Sequence, residues 1–300
     1  MKRILFYCFL FTTTSFTGCL GAKDQTLRIS NEIIESIHKL DRNPAELAAL
    51  AGKLREKGIP EKGLGKYTDR EIGRVYDALL SLTTNFPEED KFVAMQERIL
   101  NEEIRRGKTY ECDVVDMYTA YLGARMFEKA GTFKKRFPEM KFPLIPETIV
   151  SDNPSGAKHW LVYDVMEAGK IVELKALPLE TGPKIVVVIF PGCAAAKSAM
   201  TQIMADPELT AAIRKYGAIV TDRFDAQGVA KWREYINFRE IYIARKDSDF
   251  PSFDFQVSPT FYFLKDGKIY SHFSGWSNAN GKGNLLKGLD AVLAQDITQH

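Results

Sequence analysis

Between Phe137 and Pro146 the spacing of apolar residues changes, and that change limits the possible folds of this chain more than any other feature. On the amino-terminal side apolar residues recur at intervals of three and four: Ile33, Ile34, Ile37 and Leu40, then Leu47, Leu50 and Leu54, then Ile72, Val75 and Leu79. This is the period of amphipathic helices that bury one stripe. On the carboxyl-terminal side, short strand-like runs alternate with helical stretches, the pattern of a sheet covered by helices. The expected layout is a helical domain over residues 19–140, a proline-containing linker over 141–154 (Pro143, Pro146) and an α/β domain over 155–298.

Local signals place several boundaries. Asn43-Pro44-Ala45-Glu46 and Thr68-Asp69-Arg70-Glu71 each offer a helix cap with a carboxylate three residues on. A third helix is expected from near Pro87 to Gly107, and a fourth from about Asp113 through Tyr121 to Ala130. No fixed internal period marks a repeat array. Beyond the prolines, runs at 160–165 and 171–177 predict a hairpin, 185–190 a buried strand, and 218–221 and 241–244 further strands. Helical pattern follows at 194–216 and 227–236, and runs at 259–264 and 268–273 around Asp266-Gly267 predict a second hairpin before a closing helix over 285–294. Such an order predicts a central mixed sheet with helices on both faces.

Residues 1–18 have a basic start at Lys2 and Arg3, an apolar run, and a close of small residues before Cys19. That is the pattern of a secretory signal, too short to span a bilayer. Phe16-Thr17-Gly18-Cys19 also resembles a bacterial lipobox, which would make Cys19 the site of lipid attachment; plain secretion is the alternative. The lipobox reading implies the cell envelope, with the membrane reached through the lipid on Cys19. Without Lys2 and Arg3 the 41 basic residues become 39 and match the 39 acidic ones. A neutral chain without a basic run argues against nucleic acid as a partner. With Cys8 removed and Cys19 acylated, Cys112 and Cys193 are the remaining thiols, too few for a disulfide scaffold. Cys112 stands beside Glu111 and Asp113, which disfavour its thiolate, so it reads as structural or incidental.

Phe190-Pro191-Gly192-Cys193-Ala194-Ala195-Ala196-Lys197 places Cys193 where a buried strand becomes a helix. There a thiolate faces unpaired amides and the positive end of the helix dipole. Together with Val257-Ser258-Pro259-Thr260 before a strand, the Asp266-Gly267 hairpin and Gly275-Trp276, this order resembles the thioredoxin-like superfamily, in particular its bacterial envelope members. The likeness covers about residues 155–298 and leaves the helical half unexplained. It implies that Pro259 is a cis-proline facing Cys193, and that Gly192, Ser258, Pro259 and Thr260 line a substrate groove. The chain departs from the family's Cys-x-x-Cys pattern: Ala196 holds the place of the resolving cysteine, Gly192 that of a common aromatic residue, and Val187 that of a buried acid. The stretch does not match a peroxiredoxin either, since Phe190 stands where a hydroxyl residue is expected. A two-cysteine cycle cannot run at this motif.

Three readings of Cys193 follow. It is a reactive monothiol, assisted by the helix start and Lys197, that forms mixed disulfides with an envelope protein or small thiol. Or the domain is a redox-inactive binding or assembly module of an envelope complex. Or it captures a metal such as copper, for which His159 and His272 are the in-domain histidines but no Cys or His pair has ligand spacing. No metal site or cofactor is predicted, and no Ser-His-Asp order, phosphate loop or nucleotide fingerprint is present. His272 reads as a partly exposed strand residue, Asp222-Arg223-Phe224-Asp225 as a solvated loop and helix cap, and Trp160, Trp232 and Trp276 as core.

Overall fold

A computed structural model describes residues 22–39, 43–59, 63–149 and 160–294. The signal segment, Cys8, Cys19, Leu40 and His159 lie outside the described residues. The amino-terminal half holds helices α1 (Ala22–His38), α2 (Pro44–Lys57), α3 (Asp69–Asn85), α4 (Asp90–Arg106), α5 (Glu111–Gly123) and α6 (Phe127–Lys134). Asn43 Oδ1 accepts from the amides of Ala45 and Glu46 at the start of α2, and Thr68 and Glu71 form a reciprocal capping box on α3. Each cap is worth about 1 kcal/mol. α4 closes on Gly107 in the left-handed conformation.

The fourth predicted helix is broken. Where apolar spacing predicts one helix to Ala130, α5 stops at Gly123 and α6 begins at Phe127. Arg125 between them has φ 60°, a conformation that costs a non-glycine residue about 1–2 kcal/mol. Its side chain explains the break, since it turns away from solvent into the seam described below.

The described residues of the second half form eight strands and four α-helices. The strands are β1 (Glu147–Ile149), β2 (Leu161–Met166), β3 (Ile171–Ala176), β4 (Pro183–Val188), β5 (Gly217–Thr221), β6 (Ile241–Ala244), β7 (Thr260–Lys265) and β8 (Lys268–Ser274). They form one mixed sheet in the order β1-β3-β2-β6-β5-β4-β7-β8. The central strands β4, β5 and β6 are parallel; β2 runs antiparallel to β6, and β7 antiparallel to β4. β1, within the stretch read as linker, pairs parallel with β3. The helices are α7 (Ala194–Ala205), α8 (Pro207–Tyr216), α9 (Ala226–Ile236) and α10 (Gly281–Leu293). Asp206 separates α7 from α8 by accepting from the amides of Glu208 and Leu209.

The expectation of helices on both faces is not met. The sheet residues that pack with α7 to α10 are Ile185, Val187, Ile219, Ile241, Ile243, Phe261 and Phe263. Their strand neighbours Val186, Val188, Val220, Tyr242, Tyr262 and Leu264 face the other way, into a second cluster with Trp160, Leu177, Leu179, Phe250 and Phe255. No residue of a described helix enters that second cluster, and aromatic loops cover the far face instead. Connectivity is the reason. The steps β4 to β5 and β5 to β6 run in the same direction across the sheet, and right-handed crossovers in one direction lay their helices on one face.

Helices α1 to α6 share the first cluster, so helical half and sheet are packed by one continuous set of buried residues. Phe224 is the joint between them: its ring centroid lies 4.8 Å from that of Phe127 on α6 and 5.5 Å from that of Tyr163 on β2.

Candidate functional site

β4, β5 and β6 end on the same edge of the sheet, the edge where open α/β sheets place their sites. β4 leads into the Phe190–Cys193 corner. The Phe190 amide donates to Ser258 Oγ at 2.9 Å, which ties this corner to the loop before β7, and the Cys193 amide donates to the Phe190 carbonyl at 3.0 Å. Gly192 closes the turn at φ 86°, a left-handed conformation that favours glycine at this position. Cys193 is the residue that caps α7: its carbonyl accepts from the Lys197 amide at 2.9 Å, while its side chain makes no capping hydrogen bond.

The Cys193 thiol is half-buried, with Sγ 3.8 Å from the carbonyl oxygen of Ser258. The Ser258–Pro259 peptide bond is cis, and Pro259 is buried. The Pro259 carbonyl accepts from the Gly275 amide at 2.8 Å. Cys193, Gly192, Ser258 and Pro259 therefore meet at one corner. Thr260, expected in the groove, is 1% exposed; its hydroxyl joins the Val257 carbonyl and Ser274 Oγ, both at 2.9 Å. It holds the strand ends together rather than facing a ligand. Ala196 and Val187 are fully buried, so the positions of the resolving cysteine and the buried acid are filled by core.

Lys197 is exposed, and its ammonium lies 4.6 Å above the Tyr235 ring on α9 rather than on the thiol. It marks the rim of a cleft of about 770 Å³ between the helical half and the sheet, beside the Cys193 corner. Leu122 on α5 with Pro143 and Leu144 forms one wall, and Gly192, Lys231, Trp232 and Tyr235 with the first turn of α9 form the other. Leu144 is 47% and Tyr235 52% exposed, so the lining presents large apolar surface to solvent. Sequence reasoning missed this cleft. Gln227, Lys231 and Tyr235 follow one another at four-residue spacing along α9, a stripe too polar to be core, but nothing in the sequence places Leu122 and Leu144 opposite it.

The rest of the edge is closed. The Arg125 guanidinium reaches across from the end of α5, with Nη2 2.8 Å from the Asp222 carbonyl and 2.7 Å from the Ala244 carbonyl, and Nη1 on the Leu122 and Gly123 carbonyls. It also stacks over the Phe224 ring at 5.2 Å. Asp222, read as part of a solvated loop, is 2% exposed, and Asp225 caps α9 by accepting from the Gly228 amide at 2.8 Å. Arg223 donates to the Thr84 carbonyl of α3, and the Asp247 amide to Glu88. Arg223 Nε lies 3.4 Å from Asp222 Oδ1, an ion-pair contact that leaves this oxygen without a hydrogen bond. Burial pushes the carboxyls of Glu88 and Asp222 up, and it lifts that of Asp247 to about 7 with Asp222 and Glu88 adding to the shift.

The other candidates disperse. Cys112 is exposed at the start of α5 with Sγ 3.5 Å from Asp113 Oδ1; burial of the thiol first, then the Asp113 charge, holds it above its ordinary value. His272 is exposed on β8 and stacks on Tyr262. Trp160 packs in the far-face cluster, Trp276 bonds Gln202 at 3.0 Å, and of the three tryptophans only Trp232 lines the cleft. Among the described residues no group of three or more His, Cys, Asp or Glu side chains is arranged to hold a metal ion, and no helix is long and apolar enough to cross a membrane. No protein-family model and no curated protein matches the chain.

Proposed function

We propose that this chain is a thioredoxin-like protein of the bacterial cell envelope, lipid-anchored at Cys19, whose one active-position cysteine, Cys193, exchanges with the disulfide of an envelope protein or small thiol. The observation that carries the reading is the placement of Cys193 at the start of α7, its Sγ 3.8 Å from the carbonyl of Ser258 in the cis Ser258–Pro259 unit. The one-face arrangement of α7 to α10 departs from the family pattern, so the corner rather than the sheet as a whole supports the resemblance.

The chemistry that suits this corner is a single exchange. The Cys193 thiolate attacks one sulfur of a disulfide RS–SR′; the bond between Cys193 and SR forms as RS–SR′ breaks, and R′S⁻ leaves. With Ala196 buried in place of a second thiol, regeneration requires an external thiol, whose thiolate attacks the RS sulfur, forms a new disulfide with it and releases the Cys193 thiolate. The Ser258 backbone and Pro259 form the wall against which R would lie.

Alkylation of the folded protein with iodoacetamide, read site by site by mass spectrometry, tests the reading. Cys193 is expected to react and, in oxidised envelope extracts, to carry a mixed disulfide that Cys193→Ser abolishes. A thiol inert in the folded protein sinks the exchange reaction and leaves the redox-inactive binding module. The anchor is tested separately by the mass of the mature amino terminus, which must begin at Cys19.

A further inference from the structure

The cleft beside Cys193 has a chemical character of its own. At about 770 Å³ it falls within the range of about 300–1,000 Å³ that holds small molecules. Its lining combines rings, Trp232 and Tyr235, with two cations, Lys197 and Lys231. Lys231 and Tyr235 are four residues apart on α9 and therefore share a face, and the Lys197 ammonium is already over the Tyr235 ring from the opposite helix. Both lysines thus flank one exposed ring.

The two positive charges are only partly offset within the lining, by the carboxylate of Asp225. Among the described residues no carboxylate forms an ion pair with Lys197 or Lys231; the neighbouring pairs of α7 and α8 go to Lys282 instead. Asp225, the acid in the lining, has its oxygen on the Gly228 amide. The first turn of α9 lines the same space, with its Gly228 amide already taken by Asp225. A cavity with two ammonium groups against one carboxylate, two rings and an apolar wall of Leu122, Pro143 and Leu144 complements a ligand with a carboxylate beside a planar or apolar body.

We propose that the cleft binds a small anionic, ring-bearing thiol or disulfide, its carboxylate between Lys197 and Lys231, its ring on Trp232 and Tyr235, and its sulfur presented past Gly192 to Cys193. The sulfur step rests on the exchange reaction proposed above; recognition by the cleft is separable from it. In that exchange Cys193 bonds to one half of an aromatic disulfide and the other half leaves as the aromatic thiolate.

The probes are two aromatic disulfides, the anionic 5,5′-dithiobis(2-nitrobenzoate) and the neutral 2,2′-dipyridyl disulfide, each rate at Cys193 divided by its rate with free cysteine. The anionic probe is expected to be favoured about 10-fold in the normalised ratio at low salt, falling with ionic strength. Lys231→Gln should remove most of that preference, and Lys287→Gln, an exposed charge on α10 outside the cleft, should leave it in place. Equal normalised rates, or a preference that survives Lys231→Gln, overturn the inference while leaving the exchange reaction standing. If neither probe modifies Cys193, the exchange reaction fails, and the cleft is judged in Cys193→Ala by quenching of tryptophan fluorescence with 2-nitrobenzoate. Quenching lost in Trp232→Phe supports the cleft; no quenching overturns it.

Discussion

The carboxyl ends of the three parallel strands meet two different environments. β4 ends in an open corner, where a half-buried thiol and two unpaired lysines face a cleft. β5 and β6 end against the helical half, where Asp222 is buried and Arg125, Arg223, Asp247 and Glu88 are half-buried. Burial at the second place lowers the pKa of Arg125 and raises those of Asp222 and Asp247. Perturbed groups often mark active sites, but buried ionic networks perturb them as well, and here geometry separates the two. At the seam Arg125 is committed to backbone carbonyls of both halves, and Arg223 to the Thr84 carbonyl and the Asp222 carboxylate. At the corner the reactive groups are left available. The seam clamps the helical half onto the sheet, and the clamp positions Leu122 opposite Trp232 to make the cleft.

The largest effect should come from the seam. Arg125→Ala leaves the carbonyls of Asp222 and Ala244 without their donor and three carboxyls without their central cation, a loss of about 3–5 kcal/mol. Arg125→Met, which keeps much of the bulk, should lose nearly as much. Cys193→Ala should change stability by less than about 1 kcal/mol, since its side chain is half-exposed and makes no capping bond. Urea unfolding measures all three. A loss of under about 1 kcal/mol for Arg125→Ala would erase the distinction between the two regions.

Arg125 also shows where the sequence stops being readable. The caps at Asn43 and Thr68, the stop at Gly107, both hairpins and most strand positions are legible because short-range chemistry decides them. Arginine is a good helix former, and nothing local predicts that Arg125 leaves its helix for carbonyls 97 and 119 residues away. The same limit hid the one-face packing. Alternation along β4 to β7 reveals that both faces are buried, yet whether helices or loops bury them depends on strand order, which periodicity does not carry. At the thiol corner, motif spacing brings Cys193, Gly192, Ser258 and Pro259 together, while the cleft is a product of long-range docking.

A smaller effect separates the regions by pH. Asp247, ordinarily near 3.8, is raised to about 7 in the folded protein, so the folded state holds a proton that the unfolded state has released. Stability therefore falls as pH rises from about 4 through about 7, at a cost on the order of 1–2 kcal/mol once screening is allowed for. Glu103 on α4, pushed up to about 8 by burial first and then by Asp113 and Asp77, adds the same sign at higher pH. Melting temperature should decline from pH 5 to pH 8, and Asp247→Asn should flatten the lower part of that decline and leave the Glu103 part. An unchanged slope in Asp247→Asn would remove Asp247 from the account of the seam.

The smallest change in stability is expected at the corner, where it should bring the largest change in chemistry. Ala196 lies three residues after Cys193 in the first turn of α7 and is fully buried. Ala196→Cys adds one sulfur to packed core, at a cost of about 1 kcal/mol or slightly more. The side chains of residues three apart on a helix stand about 5–6 Å apart at Cβ, so a modest shift brings the sulfurs within bonding reach. The introduced thiolate would attack the sulfur of Cys193 in a mixed disulfide, form an internal bond and expel the bound thiol. Wild-type protein treated with oxidised glutathione should retain one glutathione per chain by mass, and the Ala196→Cys variant should release it and lose two protons' mass as the internal disulfide closes. If the variant keeps its glutathione as the wild type does, position 196 is not aimed at Cys193. The corner would then resemble a thiol-exchange site in sequence order only, and the cleft rather than the cysteine would be the feature that the seam exists to hold open.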